Sequence, residues 1–546
     1  MIKNILLLNP PDPSIVENFS KTNYSYFEPP LGLLYIYSFI KNNRKDFDVR
    51  IVDLNIELGF KGKVDVDQAL NMAITDFSPD LIGISAIFYS GISIYHLIVH
   101  KIKQLSPSSI VVLGGHYPTH LTEMALEDKS VDYAVLSEGE LGLCNLIDSI
   151  NENKNMDEVE GIAFKNNSKI VKNIRQTFWK EFSDFPMLEW KDLPMKYYFS
   201  SGRNFLTRVK DKNELKLAAI TATRGCPNEC TFCSSKSFWK RNWRKRKISN
   251  IIKEINFLID CYDVNTIVFN DENIGVNRNW FFDLLCEIEE LKITWISGGG
   301  LSIRTLMDEE LIKKMYKSGI GLFNIAIESS SDETLSKIKK PSSIKEIETV
   351  INYIRANGNG VIIGFFITGF PFESLNDIQR TYSFAESLDL DWKSFYCFQP
   401  FPGSELYDYC INNRIIDSFD VNYAESYFAP QMKYIDYTSN ELNNLNYIAN
   451  LRCNFVNNRN LIIKSTASLQ QAERDFRYVL DIAPKHVFAL LGLAEIMRLR
   501  NNQIKTFDYI HSAKKALNED MNCDWQYYLS IFKNTPLTDN LGVNNV

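Results

Sequence analysis

Leu217-Ala-Ala-Ile-Thr-Ala-Thr-Arg-Gly-Cys226-Pro-Asn-Glu-Cys230-Thr-Phe-Cys233 is the stretch on which the fold turns. Leu217 to Thr223 is a short, mostly apolar run of strand length, and the cysteines follow it at once with the spacing CxxxCxxC. Three thiolates within eight residues can hold three irons of a [4Fe-4S] cubane and leave the fourth iron without a protein ligand, unlike the four cysteines of an electron-transfer ferredoxin. A zinc site would need a fourth Cys or His close by, and the next cysteine, Cys261, lies beyond a whole predicted helix. Gly225 allows the tight backbone turn that brings Cys226 round.

Downstream, the pattern of that first strand repeats. Strands are predicted at Leu217 to Thr223, Thr266 to Asn270, Ile293 to Ser297, Leu322 to Ile327, Val361 to Thr368 and Lys393 to Phe398. Amphipathic helices fall between them at Ser249 to Asp260, Arg278 to Glu290, Asp308 to Lys317, Lys345 to Ala356 and Asn376 to Leu388. Six βα units over 217–405 predict a partial (β/α)6, TIM-like barrel with its chemistry at the carboxyl ends of the strands. Asp271-Glu272-Asn273, Gly298 with Ser302 and Arg304, Glu328, Gly369-Phe-Pro371 and Pro400-Phe-Pro-Gly403 each follow one of those strands.

Upstream, Ile2 to Leu8, Val49 to Leu54, Leu81 to Ala86, Ile110 to Leu113 and Tyr133 to Leu136 read as buried strands, with helices such as Gly32 to Lys41 and Ser93 to Leu105 between them. The expected fold for 1–150 is an α/β, doubly wound, Rossmann-like domain whose ligand sits beyond the strand ends. No GxGxxG follows the first strand, so a dinucleotide is disfavoured there. Residues 151–216, aromatic and charged but without a period, read as a linker. From 406 to 546 the chain reads as α-helical, with a frayed tail from Asn534. Within it, Ala472, Phe476, Val479 and Pro484, then Leu490, Leu493, Ala494, Met497 and Ala513, keep tetratricopeptide-like (TPR-like) offsets over about 467–520.

Together the CxxxCxxC loop and the barrel rim resemble the radical S-adenosylmethionine (SAM) superfamily. The resemblance implies that Cys226, Cys230 and Cys233 hold the cluster, that its open iron chelates SAM, and that reduction releases a 5′-deoxyadenosyl radical. It further implies SAM contacts from Phe232, Asp271, Glu272, Gly298, Ser302, Arg304 and Glu328. The first 150 residues, through Pro29 to Tyr35, Gly83 to Ser85, Gly114 to Thr119 and Ser137 to Glu140, resemble the cobalamin-binding domain that precedes many such barrels. By that likeness Pro10, Ser85, Ile87, Phe88, Tyr89, Gly114, Gly115, His116, Glu138 and Gly139 contact the corrin or its nucleotide tail, with Phe88 and Tyr89 beneath the ring. The DxHxxG element, whose His ligates cobalt from below in some cobalamin proteins, is absent: the loop after the first strand reads Asn9-Pro10-Pro11-Asp12. Cobalamin without a histidine ligand is therefore expected, with His116 and His120 as hydrogen-bonded loop histidines.

These resemblances imply a cobalamin-dependent radical SAM methyltransferase acting on an unactivated carbon of a small-molecule, lipid or peptide substrate. Cyclase, ring-rearranging or other redox chemistry is the alternative. A methylthiotransferase is disfavoured, because those relatives carry a second cysteine triplet near the amino terminus and this region has only Cys144. An external electron donor of the flavodoxin or ferredoxin type is implied, and the carboxyl-terminal helices could recruit a protein or peptide partner.

Composition agrees with such a chain. A net charge of -7 and pI near 5.6 argue against a general nucleic-acid or membrane surface. Lys236 to Lys247 gathers seven basic residues around Phe238, Trp239 and Trp243, and is expected to be a solvated segment rather than a nucleic-acid site. Ten cysteines in 546 residues are no disulfide framework, and the longest apolar runs fall far short of a membrane span, so a cytoplasmic location is expected.

Overall fold

The computed structural model describes residues 1–13, 28–59, 65–167, 169–175, 178, 182–183, 185, 187–200, 208, 214–419, 428–519 and 523–539. The described chain divides into two compact units, the first built from 1–202, 217–276 and 399–426, the second from 203–216, 277–398 and 427–546.

In the first unit, strands β1 (Asn4–Asn9), β2 (Asp48–Asp53), β3 (Leu81–Ser85), β4 (Ile110–Gly114) and β5 (Tyr133–Val135) run parallel in the order β2-β1-β3-β4-β5. Ile5, Leu6, Leu7 and Leu8 of β1 are all buried, the continuous apolar run required of a strand covered on both faces. Helices α1 (Leu31–Asn43), α2 (Ile92–Leu105) and α3 (Gly139–Asn151) join them.

The sheet does not stop at residue 150. Two antiparallel strands, β6 (Ile162–Asn166) and β7 (Lys169–Asn173), pair onto β5 and make it seven-stranded. The linker expected over 151–216 is thus, in its first part, an edge hairpin of the domain. Beyond it Phe182, Phe185 and Trp190 are fully buried. Irregularly spaced aromatics fill gaps between elements here, and this is why no period announced them. Much of 201–213 lies outside the described residues.

The same unit holds β8 (Leu217–Ile220) and β11 (Thr266–Phe269), paired in parallel from Leu217 opposite Thr266 to Ile220 opposite Phe269. Between them come β9 (Thr223–Arg224) and β10 (Arg244–Lys245), a short antiparallel pair, and α4 (Ile248–Tyr262).

In the second unit, α5 (Arg278–Leu291), α6 (Glu309–Lys317), α7 (Ile344–Asn357) and α8 (Leu375–Ser387) alternate with β12 (Thr294–Ser297), β13 (Leu322–Glu328), β14 (Val361–Thr368) and β15 (Trp392–Cys397). Strands β13, β14 and β15 form a parallel sheet, and bridges Trp295–Ile320 and Leu301–Ile325 bring the β12 segment alongside β13. Ser343 and Ser374 start α7 and α8 with complete capping boxes.

The carboxyl-terminal region of this unit is helical, with α9 (Ser439–Leu451), α10 (Thr466–Ile482), α11 (Val487–Leu499) and α12 (Gln503–Glu519). Every residue of α11 from Val487 to Met497 is buried, as befits a helix that is apolar all round. Pro536–Asp539 is a further helical turn with Leu537 and Thr538 buried, so the tail expected to fray from Asn534 is anchored to that point. Residues 540–546 lie outside the described ones.

Candidate functional site

Site construction begins at the turn out of β9. Gly225 has φ of 83°, and a Cβ there would lie 2.5 Å from the Asn242 carbonyl oxygen, so this close crossing requires glycine. Its N–H donates to Glu272 Oε2 at 3.0 Å. Cys226, Cys230 and Cys233 follow on an irregular loop, all three of intermediate exposure and none in a disulfide. Among the described residues no three His, Cys, Asp or Glu side chains converge on one metal-ion point. Asn273 Nδ2 donates to Cys226 Sγ at 3.7 Å, and Trp243 Nε1 donates to the Asn273 carbonyl at 3.0 Å, supplying the kind of N–H···S contact that tunes a cluster.

Asp271, expected at the amino end of SAM, is turned inward. Only 1% exposed, it accepts from Thr223 Oγ1 at 2.6 Å and from the Thr223 and Ala222 N–H groups. Burial pushes its carboxyl up to about 7 against those hydrogen bonds. Its neighbour Glu272, also raised by burial, is the carboxylate that reaches open space. Sequence alternation alone does not tell which of two adjacent acids faces the rim.

A cavity of about 1140 Å³ opens beyond the ends of β1, β3, β4 and β5. Pro10, Ser85, Ile87, Phe88, Gly114, Gly115, His116, Glu138 and Gly139 all line it. Gly115 has φ of 117° with a would-be Cβ 2.7 Å from the Ala86 carbonyl oxygen, whereas one on Gly114 would meet nothing closer than Val135 O at 3.9 Å. Two side-chain-free residues beside Ser85 and Gly83 form the small-residue slot that a nucleotide tail needs, and the cavity fits a corrin. Asp53 holds the Pro10 loop in place, bonded to Asn9 and Asn55, while Asn55 donates to the Pro10 carbonyl and accepts from the Asp12 N–H.

Two residues depart from expectation. Tyr89 does not line the cavity; it is buried, with its hydroxyl 2.7 Å from His120 Nδ1 and donating to the Pro402 carbonyl at 3.1 Å. The chain turns into a short 3-10 segment at Tyr89, which leaves Phe88, 61% exposed, as the aromatic surface facing the opening. His120, with Ser237 Oγ 2.9 Å from its Nε2, is engaged on both nitrogens, and burial drives it down to about 3. His116 instead stacks on Phe238 at 4.2 Å, and burial holds its imidazole neutral, down to about 4.

Within the basic run Lys236 to Lys247, Lys240, Arg241 and Lys247 are exposed as expected, but two arginines turn inward. Arg246 is 1% exposed and paired with Glu254 at 2.6 Å, and Arg244 makes a two-pronged contact to Glu138, 2.9 Å to each oxygen. Arg241 pairs with Glu229 at 2.8 Å. Partners a hundred residues away along the chain cannot be seen from local composition.

The remaining expected SAM contacts lie in the second unit. Gly298 and Arg304 are exposed, Ser302 caps the turn Ile303–Leu306 through the Thr305 N–H, and Glu328, at φ of 70°, pairs with Lys340 at 2.6 Å. Phe232, in the first unit, sits between two cluster cysteines at intermediate exposure.

With that geometry in hand, comparison with known proteins is informative. Residues 220–385 match the radical SAM superfamily model and 21–147 match the B12 binding domain model. An uncharacterised methyltransferase of Pyrococcus horikoshii is 27% identical over 450 residues, 81% of this chain and 91% of that protein. Cytidylyl-2-hydroxyethylphosphonate methyltransferase of Streptomyces wedmorensis is 27% identical over 462 residues, 78% of this chain and 85% of its own. An anaerobic magnesium-protoporphyrin IX monomethyl ester cyclase of Synechocystis is 26% identical, covering 68% of this chain and 70% of that protein. Among solved structures, the cobalamin-dependent SAM radical enzyme OxsB superposes with a TM-score of 0.66 at 15% identity, over 99% of this chain and 83% of its own. The chain carries a radical SAM domain and a B12-binding domain in one polypeptide, followed by a helical region, and it is an enzyme.

Proposed function

We propose that this radical SAM enzyme, working with a [4Fe-4S] cluster, SAM and cobalamin, transfers a methyl group to an unactivated carbon of a small-molecule, lipid or peptide substrate. The observation that carries this reading is a shared wall. Thr221, Arg224, Asn270 and Glu272, from the strands and loops that carry and brace the cysteine loop, line the same cavity as Gly114 and Gly115. A corrin held in that slot therefore faces the segment that holds the cluster. When bound, the cluster supplies the electron that cleaves SAM and the corrin supplies a methyl carrier.

The chain's own contribution is orientation and exclusion of water. Gly114, Gly115 and Ser85 admit the nucleotide tail, and Pro10, Ile87 and Phe88 offer apolar surface to the ring. Cys226, Cys230 and Cys233 hold three irons, with Asn273 donating toward Cys226 and Glu272 anchoring the Gly225 turn. Electrons come from an external donor of the flavodoxin or ferredoxin type, in a reducing cytoplasm that keeps the cluster thiols free. Among the described residues no helix is long and apolar enough to cross a membrane. Exposed Ile504 and Phe507 on α12 would be the place for a protein or peptide partner.

A methylating enzyme of this kind consumes SAM in two ways. Turnover with the native substrate should yield S-adenosylhomocysteine and 5′-deoxyadenosine in comparable amounts. Similarity to a cyclase favours a second reading, in which only the radical is needed. That reading wins if 5′-deoxyadenosine forms without stoichiometric S-adenosylhomocysteine.

A further inference from the structure

Arg224 stands two residues before the first cluster cysteine and is almost wholly buried, yet it points away from the cysteines and into the corrin lobe. Its Nη1 donates to Glu138 Oε1 at 2.9 Å and its Nη2 to Glu140 Oε1 at 2.6 Å. Both carboxylates flank Gly139 at the start of α3 and line the corrin cavity, as Arg224 does. The guanidinium also packs against two neighbouring rings, 4.5 Å from the Tyr35 centroid and 4.7 Å from that of Phe182, which themselves lie 6.2 Å apart. Tyr35 belongs to α1 and is a cavity-lining residue too. Glu138 takes a second arginine, Arg244, which pairs in β10 directly opposite Arg224 in β9.

A planar fork with both arms on buried carboxylates, packed against a pair of aromatic rings, has little freedom to rotate or slide. Burial alone would raise Glu138, but Arg224 and Arg244 reverse it and keep the carboxylate charged. Desolvating so many charges gives little net stability, and an arrangement of this cost serves to fix geometry.

We propose that Arg224, through Glu138 and Glu140, is a positioning residue that locks the cysteine loop to the corrin lobe and so sets the spacing between cluster and cobalt. This rests on the reading of both cofactors given above, and it assigns Glu138 to bracing the cavity wall rather than to a direct polar contact with the corrin.

The test uses the full chain loaded with iron, sulfide and hydroxocobalamin, poised so that the reduced cluster and cob(II)alamin coexist. Microwave power saturation of the cob(II)alamin resonance reports the nearby cluster spin, with Cys230→Ala as the reference that lacks the cluster. In the native protein the half-saturation power should exceed that reference several-fold. Arg224→Lys, which keeps the charge but loses the fork, should shift it clearly from the native value at full iron and corrin content. Glu140→Gln, which removes one prong and leaves Glu138 paired, should move it in the same direction by less, and it decides the matter if the arginine variant does not fold. Native half-saturation power in a fully loaded Glu140→Gln or Arg224→Lys protein would overturn the proposal. A native protein that takes up no corrin or no cluster would overturn the underlying reading instead.

Discussion

At the scale of single residues, the site divides into what composition reveals and what only packing reveals. The cysteine triplet, the paired glycines and the missing DxHxxG element could be read directly, because each depends on residue type and spacing along a short stretch. Three features could not. Asp271 and Glu272, both expected to contact SAM, part company because one faces the β8–β9 turn and the other the rim. Tyr89 turns away from the cavity where the backbone tightens after Phe88. Arg224 and Arg244 find Glu138 from more than eighty residues away. The glycines give a sharp contrast. Gly115→Ala forces a side chain into a positive-φ residue against the Ala86 backbone, so it should lower stability by about 1–3 kcal/mol and weaken hydroxocobalamin binding at least tenfold. Gly114→Ala meets no such obstacle and should stay within about 0.5 kcal/mol of the parent in denaturant unfolding. Equal costs at the two positions would contradict the slot geometry. A pH prediction follows from Glu373, 2% exposed and accepting from the Gly369 and Phe370 N–H groups, whose carboxyl burial pushes up to about 7. Between its ordinary value of 4.5 and about 7 the folded state keeps a proton that the unfolded state has released, so stability falls as pH rises through that window. Glu373→Gln retains an acceptor and removes the titration. Urea midpoints at pH 5 and 7.5 should therefore differ less in the variant, by roughly 1–3 kcal/mol at the higher pH; an unchanged slope would contradict the assignment.

At the scale of elements, the barrel strands were legible to within a residue or two, since long β-branched runs such as Val361–Thr368 alternate with well-capped amphipathic helices. The β6–β7 hairpin was not, being short and half exposed, and the aromatics after it follow no period. The junction of the helical region with the sheet was equally hidden, because it is polar. Asn446 of α9 accepts from Tyr382 Oη at 2.6 Å and Thr368 Oγ1 at 2.8 Å and donates to Cys397 Sγ at 3.0 Å. Leu442 of the same helix lies where a Cβ on Gly369 would be, 2.4 Å away. Helix α9 thereby caps the carboxyl ends of β14 and β15. Asn446→Ala would remove an acceptor from the buried Tyr382 hydroxyl and one of two partners from Thr368 and Cys397, which keep the Tyr396 carbonyl and Asn443 Oδ1, and should destabilise the protein by about 1–3 kcal/mol in denaturant unfolding. Tyr382→Phe, which removes a single hydroxyl, should cost less than half as much. A neutral Asn446→Ala would show that α9 is held by apolar contact with Leu442 and Ala449 alone.

At the scale of the whole molecule, a corrin-sized cavity and the segments that brace the cysteine loop share one wall, and the proposed methyl transfer rests on that union. Both domain matches agree with that pairing, and two relatives of this chain are named as methyltransferases. The most direct measurement follows the methyl group itself. The holoenzyme, given an external reductant, native substrate and SAM labelled in its methyl group, should deliver that label to the product carbon, and Cys230→Ala should deliver none. Product formed in full yield without label, alongside continued release of 5′-deoxyadenosine, would contradict methyl transfer.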